Sequence, residues 1–175
     1  MSAGTGLEAG ELRLVEATDG DWAWLCGEGP NTGNWQAPEG GVDDPATLQC
    51  LRGTAQDVRD AGSPHSYLIV YGREIVGLCG YKHPPKPDGS VEIGFGIAAT
   101  RRNRGHATGA VALLLQQAAR DDAVQTVIAE THIDNLASQN VLRRNGFAER
   151  GNRVDDEDGE LIVWRVSTNG SKAVP

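Results

Sequence analysis

The stretch VEIGFGIAATRRNRGHATGAVALLLQQAAR, residues 91–120, decides how the chain folds. Val91 to Ile97 alternates as a strand, with Val91, Ile93, Phe95 and Ile97 on one face. The other face carries Glu92, Gly94 and Gly96, a carboxylate beside bare backbone. Two readings fit this face. In one, the glycines let a ligand approach the strand, and Glu92 takes a proton from a substrate amine, directly or through a water. In the other, they make a bulge or admit a packed helix, and Glu92 is a solvated side chain.

The strand runs into the basic turn Arg101-Arg102-Asn103-Arg104-Gly105, and a helix is expected from His106 to Arg120. Free N–H groups at a helix start, with the positive end of its dipole, favour an anion. Gly105 lets the backbone pass close to such a ligand, His106, Ala107 and Thr108 supply the first amides, and Thr108 adds a hydroxyl. The alternative is a basic loop that only aids solubility. Three clustered arginines in an otherwise acidic chain favour the anion site. Ala107, Val111, Leu114, Leu115 and Ala118 have the spacing of one buried helix face. Gly94-Phe95-Gly96-Ile97-Ala98-Ala99 formally matches a dinucleotide fingerprint, but its glycines lie inside the strand rather than opening the helix, so the match is set aside.

The chain of 175 residues suits one domain, and its 39% hydrophobic content suits a globular one. The net charge of -8 disfavours nucleic acid as a partner and favours a cationic one such as an amine, although acidity also serves solubility alone. Cys26, Cys50 and Cys79 are too few and too scattered for a disulfide framework or a metal site. No basic, apolar leader opens the sequence, and no apolar run approaches the roughly 20 residues of a membrane span. A cytoplasmic protein without membrane contact is expected.

Outward from the central stretch, Glu11 to Glu16 reads as a first strand, and Asp19 or Asp21 as the cap of a short helix through Trp22 and Leu25. Cys26 to Pro45 is a long loop rich in Gly, Pro, Asn and Asp, with Trp35 in its middle. Pro45 to Asp60 is a second helix. Tyr67 to Val70, Glu74 to Tyr81 and Val91 to Ile97 form an antiparallel meander, with Gly72-Arg73 as its first turn. Thr126 to Thr131 follows the central helix, and a strand–helix–strand unit of this kind pairs in parallel. A last helix runs from its cap Asn135 to Asn145, stopped by Gly146. Phe147 to Val154 and Glu160 to Val166 are the closing strands, turned at Asp158-Gly159. The expected class is α+β, one domain over residues 7–166 with tails at 1–6 and 167–175.

Asn135 and Ser138 share a face at the start of the last helix. Capping suffices to explain Asn135. Ser138 is either a surface serine or a hydroxyl able to protonate a departing thiolate. Glu130 and His132 end the preceding strand without a metal or nucleophile pattern around them, so no metal is expected.

Together these residues resemble the GNAT N-acetyltransferase superfamily. Arg102-Asn103-Arg104-Gly105-His106-Ala107 matches its [RQ]-x-x-G-x-[GA] signature, and the preceding VEIGFGIA is similar to its fourth strand. Asn135 and Ser138, running into Gly146-Phe147, resemble the branch that acetylates ribosomal-protein N-termini. The resemblance implies a mostly antiparallel seven-stranded sheet splayed between its fourth and fifth strands, with about four helices. It implies acetyl-CoA as co-substrate and an amine-bearing acceptor, a protein N-terminus or a small molecule such as an aminoglycoside or polyamine. A non-catalytic acyl-CoA sensor is the rival reading. The pyrophosphate would rest on Arg104 to Thr108, with Arg102 beside it. The pantetheine arm would pair with Ile97 and Ala98 and touch Asn135. Ser138 would be the general acid and Glu92 the general base, as in some members. Trp35 is expected to wall the acceptor site, and its loop makes a homodimer plausible.

Overall fold

The computed structural model describes residues 11–63 and 65–171. Its strands are β1 (Leu12–Glu16), β2 (Ser66–Tyr71), β3 (Glu74–Tyr81), β4 (Ser90–Ile97), β5 (Thr126–His132), β6 (Ala148–Asp155) and β7 (Gly159–Ser167). They form one seven-stranded sheet in the order β1-β2-β3-β4-β5-β7-β6. All neighbours are antiparallel except β4 and β5, which the crossover helix makes parallel. That parallel pairing covers only Ser90–Glu92 against Thr126–Ile128. Beyond it β4 stays bonded to β3 through Ile97, while β5 stays bonded to β7 through His132. The sheet therefore opens along its middle, and the expected mixed, splayed architecture is present.

Four α-helices cover it: α1 (Asp19–Leu25), α2 (Pro45–Asp60), α3 (His106–Arg120) and α4 (Leu136–Arg144). On one side, α3 presents Ala110, Val111, Leu114 and Ala118, all fully buried, to Val91, Ile93 and Val127 of the sheet. Losing a side chain such as Leu114 from this layer costs about 2–5 kcal/mol. On the other side, Leu48 and Ala55 of α2 and Trp22 of α1 pack on Leu68, Val70, Ile75 and Leu78. The central helix is thus fixed to the core along its length, which holds its N-terminus still.

Several local expectations change. The cap of α1 is Thr18, not Asp19 or Asp21: its Oγ1 accepts from the Asp21 N–H, and Asp21 accepts from the Thr18 N–H in return. The last hairpin turns over residues 156–158, with Gly159 (φ 74) opening β7, rather than at Asp158-Gly159 alone. Ser167 still belongs to β7, and buried Thr168 bonds the carbonyls of Val124 and Gln125. The folded unit therefore extends past residue 166. The tail expected at 1–6 lies outside the described residues.

The loop after α1 is pinned rather than loose. Trp35 donates its indole N–H to buried Asp21 at 2.8 Å, and Asn31 brackets the Trp35 backbone with bonds of 2.7 and 2.9 Å. Gln36 is stitched beside β3 by bonds to Arg73 and Ile75. Among the described residues, no helix is long and apolar enough to cross a membrane.

Candidate active site

Backbone alternation decides which part of β4 a ligand can reach. The Lys82 N–H donates to the Glu92 carbonyl at 2.8 Å, and the Ala98 N–H to the Val76 carbonyl at 2.9 Å. The register between these two bonds is continuous, so the even-numbered residues of β4 turn their polar groups to β3. Phe95 and Ile97 turn theirs the other way, into the opening of the sheet. Arg102 Nε donates to the Ile97 carbonyl at 3.1 Å, which leaves the Ile97 N–H and both Phe95 groups facing the cleft. Ala98 is corrected as a cleft residue. It is buried, its N–H is engaged by Val76, and its carbonyl accepts from the Arg101 N–H at 2.8 Å.

The turn that follows curls through two left-handed residues, Asn103 (φ 60) and Gly105 (φ 81). Gly105 caps α3 with no side-chain hydrogen bond to the helix start. The amides of His106, Ala107 and Thr108 therefore point out of an uncapped 15-residue helix, a concave donor set suited to phosphate oxygens. His106 itself is buried against Tyr71, with ring centroids 5.1 Å apart, and its Nδ1 has no partner among the described residues. Burial holds its pKa below the ordinary imidazole value, and the Arg104 charge acts the same way. Arg101 makes a two-pronged ion pair with Glu74, both bonds at 2.7 Å, and so fastens the turn to β3.

Across the cleft, Asn135 caps α4 by accepting from the Ser138 N–H at 3.1 Å. Its side-chain amide N–H groups and the Ser138 hydroxyl have no protein partner among the described residues. Asn145 ties this half to the other, donating to the Thr108 carbonyl at 3.2 Å and the Val141 carbonyl at 2.9 Å. A single cavity of about 720 Å³ is lined by Phe95, Gly96 and Ile97, by Arg102 and Gly105 to Thr108, and by Asn135 and Ser138. The two halves named from the sequence thus meet in one place. Arg104 lies within the turn but does not line the cavity. Arg144 and Val141 do line it and were not anticipated. Ala137, Val141 and Arg144 form a helical stripe, so spacing from the start of α4 was the available signal.

A second cavity of about 280 Å³ lies on the opposite face of β4. Its walls include Trp22 of α1, Leu51 and Ala55 of α2, Leu78 of β3, and Val42 and Asp43 of the pinned loop. Gly94 and Gly96 form its floor. A methyl group built on Gly96 would meet nothing within 4 Å, and one on Gly94 only the Lys82 side chain. The glycines therefore neither make a bulge nor admit a helix; they leave the strand bare. Phe95 and Gly96 line both cavities, so the two meet there.

Glu92 lies at the point where β4 and β5 part, and its Oε1 is 2.5 Å from Lys82 Nζ. Glu92 itself lines neither cavity; its partner Lys82 lines the second. Trp35 lines neither cavity, because Asp21 holds its indole. Glu130 is paired with Arg153 by bonds of 2.7 and 2.8 Å, which holds its carboxyl below the usual range. His132 is exposed and accepts from the Asp134 N–H at 3.2 Å, away from both cavities. No group of His, Cys, Asp and Glu among the described residues has metal-binding geometry.

A splayed mixed sheet with an uncapped helix start at its opening is an acetyltransferase fold. The acetyltransferase (GNAT) domain model matches residues 11–148, and the chain belongs to that family. The chain is 35% identical over 84 residues to the uncharacterized N-acetyltransferase YjdG of Bacillus subtilis (strain 168). That match covers 47% of this chain and spans about half the relative, 50% of its length. Mycobacterium smegmatis RimJ in complex with CoA-disulfide superposes with a TM-score of 0.69 at 20% identity, over 93% of this chain and 84% of that one. AAC(6')-Ib in complex with ribostamycin and coenzyme A gives 0.68 at 16% identity, over 94% and 97%. At these identities the two structures show a shared fold.

Proposed function

We propose that the protein is an acetyl-CoA-dependent N-acetyltransferase acting on a primary amine by direct attack in a ternary complex. The observation that carries this reading is the meeting of the two cavities at Phe95 and Gly96, where Gly96 has no side chain to separate them. Acetyl-CoA supplies an already activated thioester, so holding an amine against it provides much of the rate. The amides of Gly105 to Thr108, with Arg102, hold the pyrophosphate. Ile97 and Phe95 offer their outward backbone groups to the pantetheine arm, and Asn135 its amide. A strand N–H of Phe95 or Ile97 stabilises the oxyanion. Glu92 takes the proton of the attacking amine, and the Ser138 hydroxyl gives one to the leaving sulfur.

For the acceptor, the α-amine of a protein N-terminus beginning with a compact apolar residue fits best. The cavity is small by the standard of ligand sites, which run about 300–1,000 Å³. Its walls are mostly apolar, and its charged members are Asp43 and the already paired Lys82. A polyamine or aminoglycoside carries several cations and calls for more free carboxylates. The free cysteines Cys26, Cys50 and Cys79 suit a reducing cytoplasm. Thiol release from acetyl-CoA with a panel of peptides, polyamines and aminoglycosides tests the reading. Peptides with small apolar first residues are expected to turn over fastest. Tight CoA binding with no release on any amine would instead support a sensor.

A further inference from the structure

We propose that Lys82 is itself an acceptor, acetylated in cis by the acetyl-CoA bound to the same chain when no external amine fills the second cavity. The inference rests on the acetyltransferase reading above and concerns a residue that reading leaves unused. Lys82 follows β3, and its N–H bond to the Glu92 carbonyl fixes its backbone opposite Glu92. Its side chain is half exposed yet lies along the sheet. It runs over the bare face of β4, with Cε 3.6 Å from where a side-chain carbon on Gly94 would sit. Nζ ends 2.5 Å from Glu92 Oε1. The same lysine lines the second cavity, whose floor at Gly94 and Gly96 adjoins the coenzyme cleft. An amine, a carboxylate to receive its proton and the open strand therefore lie together before any substrate arrives.

The charges around it agree. Glu130 faces Lys82 from β5 but is held by Arg153, so Glu92 is the carboxylate that pairs with the ammonium. Asp43 lines the same cavity from the loop side. The side chain of Lys82 is 50% exposed, so it retains the rotamer freedom to swing from Glu92 towards Gly96. Of the other two lysines in the sequence, Lys86 lines neither cavity and Lys172 lies outside the described residues.

The step balances without a further reactant. The Lys82 ammonium gives one proton to Glu92, and the neutral Nζ attacks the thioester carbonyl carbon. The N–C bond forms, the C–S bond breaks, and the sulfur leaves with its electron pair. The second nitrogen proton is lost as the amide forms, the sulfur takes a proton from Ser138 or water, and Glu92 returns its proton to solvent. The products are N-acetyl-Lys82, free CoA and one proton. The product amide is neutral. It leaves Glu92 without its partner and puts an acetyl group into a cavity of about 280 Å³, so it obstructs external acceptors.

The full chain is incubated with acetyl-CoA alone, and acetyl groups are located by peptide mass spectrometry. The expected result is one acetyl per chain on Lys82, with Lys86 and Lys172 unmodified and a first-order rate that does not change on dilution. Lys82→Arg, which keeps the charge but has no nucleophilic amine, gives no acetylation. Glu92→Gln slows the modification on the order of a hundredfold. Thiol release with an external amine, run in parallel, separates the two claims. Release with an amine but no acetyl on Lys82 overturns this inference and leaves the function standing. Acetyl on Lys82 with no amine turned over supports it and removes the external acceptor. Silence in both assays sinks both. Equal labelling of all three lysines, or a rate that falls on dilution, also overturns it.

Discussion

The cleft proposed for the coenzyme and the cavity proposed for the acceptor share Phe95 and Gly96 but are built differently. The cleft is made from nearly consecutive chain, β4, the turn and the start of α3, and it is closed by the first turns of α4. Its lining offers backbone amides and bare strand, which suit a constant group whatever the side chains around them. The acceptor cavity draws on Trp22, Val42, Leu51, Leu78 and Gly94, residues from five separate segments. If it takes the acceptor, it would recognise by side-chain shape, and shape is what differs between enzymes that share a fold. A fold can therefore keep its coenzyme while changing its acceptor.

Substitutions on the two sides should fail differently. Glu92→Gln strikes the acceptor side and should lower kcat/KM by about a hundredfold, the low end of general-base effects. Coenzyme affinity should not move. An unchanged kcat/KM removes Glu92 from the chemistry. Gly105→Val strikes the other side. At φ 81 a β-branched residue is strained by about 1–3 kcal/mol, so CoA affinity should fall roughly tenfold to a hundredfold. Titration calorimetry with CoA checks this, and circular dichroism checks that the fold persists.

The same contrast explains what the sequence made legible. The sheet, its opening and the cleft proposed for the coenzyme were readable because each piece has a local signal. Alternation marked β4, arginines and Gly105 marked the turn, and Asn135 marked the start of α4. Ala98 was misplaced because one residue of alternation decides whether a backbone faces β3 or the cleft, and the register is set by β3. Trp35 was misplaced because its partner Asp21 is 14 residues away and reads as a helix cap. Leu51, Ala55 and Leu78 looked like core, and they are core; that they also wall a cavity depends on a gap between elements, which no local pattern carries. The Lys82–Glu92 pair was missed because it joins residues on neighbouring strands whose register was not yet known.

Two middle-sized effects sharpen the boundary between the sides. Ser138→Ala should lower kcat about tenfold and leave CoA affinity nearly intact, since the backbone N–H of Ser138 still caps α4 through Asn135. Equal loss in kcat and affinity would make Ser138 a binding residue. Glu74→Gln tests the ion pair that fastens the turn. Arg101 holds the Glu74 carboxyl below its ordinary value of 4.5. The folded state thus favours the charged form. The pair stabilises above the unfolded value and is lost as pH falls through the lower folded one. Melting temperature against pH should therefore fall less steeply below about pH 4.5 in Glu74→Gln than in the parent.

Arg144→Ala should give the smallest effect and resolves the far end of the cleft. Arg144 closes α4, where the helix dipole already favours a cation, and it lines the cavity opposite the amides of α3. An exposed charge of this kind contributes about 0.2–1 kcal/mol, so CoA affinity should drop no more than about fivefold. Screening gives the control. Raising salt should bring parent and variant together, because an exposed contact weakens within a Debye length of about 10 Å at 0.1 M. Pantetheine, which has the arm but no nucleotide phosphates, should bind both proteins alike. If Arg144→Ala weakens pantetheine as much as CoA, the guanidinium is packing on the arm beside Val141 rather than meeting a phosphate. The cleft would then hold its anion by the helix start and Arg102 alone.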